Sequence, residues 1–516
     1  MTDPATAVEM FEVRVERDPD AALLLTADSR SRTYRQLAGR AEALAGELRR
    51  LGAKPGDVVG LYLWNDPAWV VAVFACWWCG CPFAACGALT PPAEAGRRFE
   101  LVRPRVIVAA HGTGLDGRWP VLTVTAEGEP AGEGRSDDQP AHDDRPAHHT
   151  APAPEDDAAI FFTSGTTAEP KAIVHTHRRL AEGPRTTAAA YASSPAFRPR
   201  VAPGERPPAI SFSPFGHMAG LGRLIFRIYV GRSLLLVPKF DVEVMRELAA
   251  RYPLDTLQLT PAMVHALAHA GTEVNLGSLR YVTSGTAPLP MATREAFERR
   301  FGVPVLQAYG STEGGITALE RYEDAVAGRR GPGSVGRVPA GCPVRIVDGD
   351  GTDVTPGSEG EILGRPDPDR TGRYLTALGN EALPVDADGW YHTGDVGRVD
   401  EHGILYVTGR LKEMMIVGGF NVFPAEVEDA LRRSGGVRDA VVVALPDDRL
   451  GEIPVAGIVW SDEPARDATA RLEAELRARL EPYKVPRRWF ALDALPLTAN
   501  GKLDRRRAAE LAADAR

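Results

Sequence analysis

Cysteine, surplus positive charge and an apolar leader are all scarce in this chain. Five cysteines among 516 residues are too few for a disulfide scaffold. Four of them, Cys76, Cys79, Cys81 and Cys86, lie close together in VVAVFACWWCGCPFAACGAL, a run without polar residues to orient metal ligands. They are expected as small buried side chains of a reduced, cytoplasmic protein. Lysine and arginine number 60 against 69 acidic residues, a net charge of −9. No basic face follows, which argues against a nucleic-acid partner. Residues 127–157 hold ten of the carboxylates against only Arg135 and Arg145, so the acidity belongs to one segment. The N-terminus, MTDPATAVEMFEVRVERDPD, has no basic stretch followed by an apolar core and does not read as a secretory signal.

A long uncharged run does occur. Pro67–Ala93 spans 27 residues without Asp, Glu, Lys or Arg, long enough to suggest a membrane helix. Gly80 and Pro82 interrupt it, and Thr90-Pro91-Pro92 closes it like a turn. A buried helix over about 67–79 and a core strand over 82–86 are expected instead, with no membrane span.

What is present is the texture of a soluble α/β protein, with 44% hydrophobic and 25% charged residues. TYRQLAGRAEALAGELRRLG at 33–52 has apolar positions at helical spacing, with Thr33 as N-cap and Gly52 as C-cap. VVGLYL at 58–63 and VIVAA at 106–110 read as buried strands. The alternation of strand and helix continues through AISFSP, SLLLVPKF, TLQLTPAMV and LRYVTSG, the pattern of parallel-type sheets. Residues 127–157, with five prolines and no apolar side chain larger than Ala, read as a flexible acidic loop, and its His142, His148 and His149 are given no metal role. After about residue 330, short strands between Gly and Asp turns suggest a small β subdomain. A further α/β unit follows Glu413, with AEVEDALRR as helix and an amphipathic helix across 466–480. The expected division is 1–410 and 411–516, with a hinge at Lys412.

The chemistry is concentrated in five segments. AIFFTSGTTAEPKAIVHTH at 159–177 turns from an apolar strand into Thr163, Ser164, Gly165, Thr166 and Thr167, then Lys171. Hydroxyls, backbone N–H groups and one cation on a single turn suit a polyphosphate, although a polar loop between two strands has the same composition. It is not the GxxxxGK[ST] phosphate loop. QAYGSTEGG at 307–315 offers an aromatic, a hydroxyl and a carboxylate. WYHTGDVG at 390–397 places Asp395 after a Thr-Gly turn, where one carboxylate can accept both ribose hydroxyls. GRLKEMMIVGGFNVFPAEVE at 409–428 adds Arg410 and a Gly-Gly turn. LPLTANGKLDRR at 495–506 presents Lys502.

In this order the segments resemble the adenylate-forming superfamily of acyl-CoA synthetases, peptide adenylation domains and luciferases, over about residues 10–510 and most closely the bacterial acyl-CoA synthetases. The resemblance implies an α/β fold: a large N-terminal domain of two parallel-type sheets plus a small β subdomain, and a small mobile α+β C-terminal domain. It implies two steps, in which carboxylate and ATP give acyl-AMP and pyrophosphate and a thiol then displaces AMP. By matching motif, Thr163–Lys171 would grip the β- and γ-phosphates. Thr286, Ala287 and Pro288 would line the adenine, Tyr309 would stack on the base with Gly310 also among the nucleotide-binding residues, and Thr312 would meet the α-phosphate. Glu313 would hold Mg²⁺, and Asp395 and Arg410 the ribose. Lys502 would bridge carboxylate and α-phosphate. His217, in SPFGHMAGL, would separate the acyl pocket from the thiol tunnel, and Gly418 and Gly419 would border that tunnel. Ala168 and Ala172 stand where the family usually has glycine, and either is strained if its φ is positive.

Amino-acid-activating relatives usually carry an aspartate after the His217 motif, and SFSPFGHMAGLGRLIF has no acid. A neutral aliphatic or aromatic acid is therefore expected, in a pocket walled by Phe215, His217, Met218, Gly310, Gly314 and Gly315. Three acceptors stay open: CoA, the phosphopantetheine of an acyl carrier protein, or an unusual second reaction of the adenylate. Glu313, Asp395 and Lys502 together count against a module that only binds nucleotide.

Overall fold

The computed structural model describes residues 4–28, 30–115, 117–131, 151–163, 171–192, 207–285, 287–311, 315–339, 343–365, 373–376, 379–381, 385–497 and 503–515. The chain forms two compact units. One comprises Met1–Gln258, Gly310–Ile316 and Pro366–Val385, the other Leu259–Tyr309, Thr317–Arg365 and Asp386–Arg516.

The first unit is built on an eight-stranded sheet. Its strands Val121–Val124, Val106–Ala110, Val59–Leu63, Phe83–Gly87 and Asp157–Thr163 run parallel, and Lys171–Thr176, Arg373–Thr376 and Gly379–Glu381 extend one edge antiparallel. AISFSP and SLLLVPKF join a separate four-stranded sheet, through Ala209–Ser211 and Leu234–Leu236. Helix Tyr34–Arg50 starts at a Thr33–Gln36 capping box. Its C-cap is Leu51, one place earlier than expected, and Gly52, at φ +85°, is the left-handed residue just beyond.

The uncharged run forms helix Pro67–Trp78, capped by Asp66, with Pro67 in its first turn and every residue buried. Trp69, Phe74 and Trp77 are among the largest buried side chains, and truncating one to alanine costs about 3–5 kcal/mol at such sites. No helix among the described residues is long and apolar enough to cross a membrane. The four clustered cysteines are buried thiols, two of which donate to carbonyls, Cys79 to Ala45 and Cys81 to Lys54. Burial pushes Cys81 up to about 12.

The acidic segment is built into the fold at both ends, because its outer carboxylates have cationic partners. Glu127 pairs with Arg32 and Arg40, Glu129 with Arg40, and Asp157 opens a strand and bonds Arg373. The loop expected over 127–157 is thus corrected at Asp157, a strand residue, while 127–129 and 151–156 are turn and loop whose outer carboxylates are tethered. Its middle, 132–150, lies outside the described residues.

The second unit holds most of a nine-stranded sheet in the order Thr256–Leu259, Tyr281–Ser284, Val305–Ser311, Gly315–Leu319, Ser334–Arg337, Ile404–Arg410, Tyr391–Val399, Gly360–Gly364, Val344–Val347. The short strands after residue 330 are therefore the antiparallel half of a shared sheet. Beyond Arg410 comes a further sheet of strands 420–422, 415–417, 451–460 and 437–447, with Arg488–Ala491 on Gly451–Trp460. Helix Pro424–Arg432 packs on it. The helix expected across 466–480 is shorter, Ala468–Arg477, and turns Leu472 and Leu476 inward.

Candidate active site

Asp395 sits in strand Tyr391–Val399, where a bulge replaces the expected turn. Between the pairs Leu363↔His392 and Glu361↔Val396 the strand carries extra residues, and Gly394 takes φ +69°. The bulge is pinned by Thr393 Oγ1 donating to the Ile362 carbonyl over 2.7 Å, by the Asp395 N–H on Thr393 Oγ1 and by the Gly394 N–H on Glu361. Its effect is to aim one buried carboxylate.

Asp395 lies opposite Arg410 at the end of strand Ile404–Arg410, and the Arg410 Nε is 2.7 Å from Asp395 Oδ1. From strand Val305–Ser311 the Tyr309 hydroxyl donates to Asp395 Oδ2 over 2.6 Å. The carboxylate side chain is 9% exposed and the guanidinium 50%. Burial first, then the Asp395 charge, pushes the Tyr309 phenol far up, so it stays a protonated donor. A carboxylate offers about four acceptor positions, so each oxygen keeps room for a further hydroxyl.

A buried network that sequence reading missed holds the Tyr309 strand. Glu320 accepts from Arg294 at 2.9 Å, from Ser334 Oγ at 2.8 Å and from the Gln307 N–H at 2.8 Å. The Gln307 side chain takes the Leu289 N–H and donates to the Ser334 carbonyl. It thereby ties the loop carrying Ala287 and Pro288 to the strand carrying Tyr309. Arg294 and Glu320 are 1% and 3% exposed, and removing one partner of such a pair costs about 3–5 kcal/mol. Twenty-six positions apart, they look like surface charges in the sequence.

The remaining candidates divide. Thr163 and Lys171 are paired positions on adjacent antiparallel strands, so Ser164, Gly165, Thr166 and Thr167 belong to the connection between them. That connection, 164–170 with Ala168, lies outside the described residues, as do Thr286, Thr312, Glu313, Gly314 and Lys502. Gly310 and Gly315 are strand residues. Ala172 is a buried strand residue without positive φ, so the strain considered for it is absent. Leu497 and Leu503, the described residues that flank the Lys502 segment, form an isolated antiparallel bridge. His217 is the N-cap residue of helix Met218–Val230, and the Phe215 N–H is held by Asn65 Oδ1 at 3.0 Å. Phe215 is buried in the core of the first unit.

Gly418 and Gly419 form the two-residue turn of a hairpin, Val417 facing Phe420, with φ +59° and +87°. Positive φ at both positions is the type I′ requirement, so the turn alone accounts for both glycines.

A tyrosine and, past two intervening strands of the same sheet, a buried carboxylate and an arginine on paired strands form a polar cradle suited to a nucleoside. The profile of the AMP-binding enzymes matches residues 11–367, and that of the AMP-binding enzyme C-terminal domain matches 426–502. The chain belongs to this family. It is 32% identical to an indoleacetate–CoA ligase of Aromatoleum aromaticum over 92% of each chain. It is likewise 32% identical to a feruloyl-CoA synthase of Amycolatopsis over 91% of this chain and 92% of that one. Among solved structures, an amide bond synthetase from Marinactinospora thermotolerans is 26% identical, with a TM-score of 0.82 over 98% and 99% of the two chains. The class is that of the AMP-forming acid–thiol ligases.

Proposed function

We propose that this ligase joins a small carboxylic acid, aliphatic or aromatic, to CoA through an acyl-adenylate. The observation that carries the reading is the Tyr309–Asp395–Arg410 cluster, whose one carboxylate keeps an acceptor position on each oxygen. Asp395 would take the two ribose hydroxyls, Arg410 would hold the carboxylate in place, and the Tyr309 ring would face the base beside Ala287 and Pro288. Thr163–Lys171 and Thr312 would hold the phosphates, and Lys502 would meet the charge that builds as the acid oxygen attacks the α-phosphorus. One preorganised donor at such a place contributes roughly 3–4 kcal/mol. Glu313 is the hard oxygen ligand that would hold Mg²⁺, which neutralises polyphosphate charge when bound. Relatives of equal identity act on aryl-bearing acids and on a saturated bicyclic propanoate, which leaves aliphatic and aromatic acids both in play, and the acid-free His217 segment disfavours an α-amino acid.

The division at 410/411 and the hinge at Lys412 belong to this reading, as does a cytoplasmic setting. A second reading keeps the adenylate and changes the acceptor, to an amine or a carrier-protein phosphopantetheine. The likeness to an amide bond synthetase favours the amine of these two. A panel of acids with ATP, offered CoA, holo-carrier protein, an amine or no acceptor, and read by product mass, decides. Acyl-CoA with AMP is expected, whereas amide or acyl-carrier product without acyl-CoA would replace the first reading.

A further inference from the structure

Within the second unit, a crevice of about 480 Å³ lies between helix Met291–Phe301 and the segment running from helix Pro424–Arg432 into strand Val437–Asp447. Arg299, Arg432, Arg433, Arg438 and Arg479 line it, with Glu295 as the acid among the lining residues. Two of these cations are answered. Arg432 pairs with Asp439 at 2.6 Å, and Arg433 pairs with Asp429 at 3.0 Å and reaches Glu295 at 3.7 Å. Arg299, Arg438 and Arg479 have no acidic partner among the described residues, and Arg438 reaches only the Asp493 carbonyl. None of these residues belongs to the nucleotide site.

The walls are joined at one end. Helix Met291–Phe301 follows Pro290, which supplies no capping side chain, and Asp429 accepts the Ala292 N–H at 3.1 Å in its place. An anion in the crevice would add to the two ties, Asp429 to the Ala292 N–H and Arg433 to Glu295, that already join the same elements. Guanidinium forks match phosphate oxygens geometrically and desolvate readily, and the volume is that of an ordinary small-ligand site.

We propose that this crevice binds a small anion carrying two phosphate groups, held by Arg299, Arg438 and Arg479. The site is separate from the nucleotide cradle and does not depend on which acid or acceptor the enzyme uses. Inorganic pyrophosphate without divalent cation and 3′-phosphoadenosine 5′-phosphate are the two probes, one for free and one for nucleotide-borne phosphate. Each is titrated into the full chain at low salt while hydrogen exchange is followed. At least one probe should slow exchange in both 291–301 and 424–440, and the successful probe identifies the source. In the Arg299→Gln/Arg438→Gln/Arg479→Gln variant the midpoint of that protection should rise about tenfold or more, with acyl-adenylate formation within about twofold of the unmodified chain. If the triple variant does not fold, Arg479→Gln alone should still shift the midpoint severalfold. Protection by both probes confined to other segments, or an unchanged midpoint in the variants, overturns the proposal. Failure of the ligase reading would appear elsewhere, as absence of AMP release by the unmodified chain.

Discussion

The Tyr309 hydroxyl donates to Asp395 Oδ2 over 2.6 Å, joining the strand that carries the aromatic to the strand that carries the buried carboxylate. Tyr309→Phe keeps the ring and removes that donor. A hydrogen bond to a charged group contributes about 1.5–3 kcal/mol. The variant should melt several degrees lower and raise the KM for ATP severalfold, with kcat changed less. Tyr309→Ala, which also loses the ring, should raise the KM further. An ATP KM unchanged in both would remove Tyr309 from the nucleotide site.

The Gly418-Gly419 turn separates a conformational role from a functional one. Asparagine adopts positive φ far more readily than other side chains, and a Cβ at Gly419 meets nothing within 4 Å. Gly419→Asn should therefore fold normally. If the thiol arm passes this turn, ATP–pyrophosphate exchange should stay within about threefold while thioester formation falls about tenfold or more. Equal, near-normal rates for both would leave the glycine with its turn alone.

Lys412 lies exposed in the 3-10 turn Leu411–Glu413. Proline's φ near −65° is compatible with that conformation and freezes it. Lys412→Pro should keep adenylation and lose about tenfold or more in thioester formation, because torsional freedom there would let the C-terminal part turn between steps. Lys412→Ala should be mild. A proline variant that completes both steps at the unmodified rate would place the moving torsions elsewhere.

Asp66 gives a pH-dependent test of stability. Burial raises its carboxyl from 3.8 to about 7, against the Ala68 N–H bond, which lowers it. A raised acid binds more protons folded than unfolded, so its contribution is complete below about pH 4 and is lost as pH rises through about 7. Asparagine caps helices as well and never ionises. Melting curves of Asp66→Asn against the unmodified chain should show an advantage growing from pH 5 to pH 8, on the order of a few kcal/mol. A pH-independent difference would contradict the raised value.

Local features of the fold were legible because local residues determine them. Thr33 with Gln36 marks a helix start, and Gly80 with Pro82 separates a buried helix from a membrane span. Which sheet a strand joins depends on partners far along the chain, so Ala209–Ser211 and the strands after 330 could be seen as strands without being placed. At the site, Asp395 and Arg410 were readable as motif members. Their pairing needs the hairpin register and the Gly394 bulge, which no spacing displays. The Arg294–Glu320 pair was invisible for the opposite reason, since an arginine on a helix and a glutamate just past a strand end both normally face water.

The central claim is that the acid oxygen attacks the α-phosphorus of ATP. It is tested most directly with an acid that turns over, labelled with ¹⁸O in its carboxylate, by mass spectrometry of the released nucleotide and phosphates. The account predicts one ¹⁸O in AMP and none in pyrophosphate for each acyl-CoA formed. Label in inorganic phosphate with ADP as the nucleotide product, or acyl-CoA formed with no label in AMP, would contradict it.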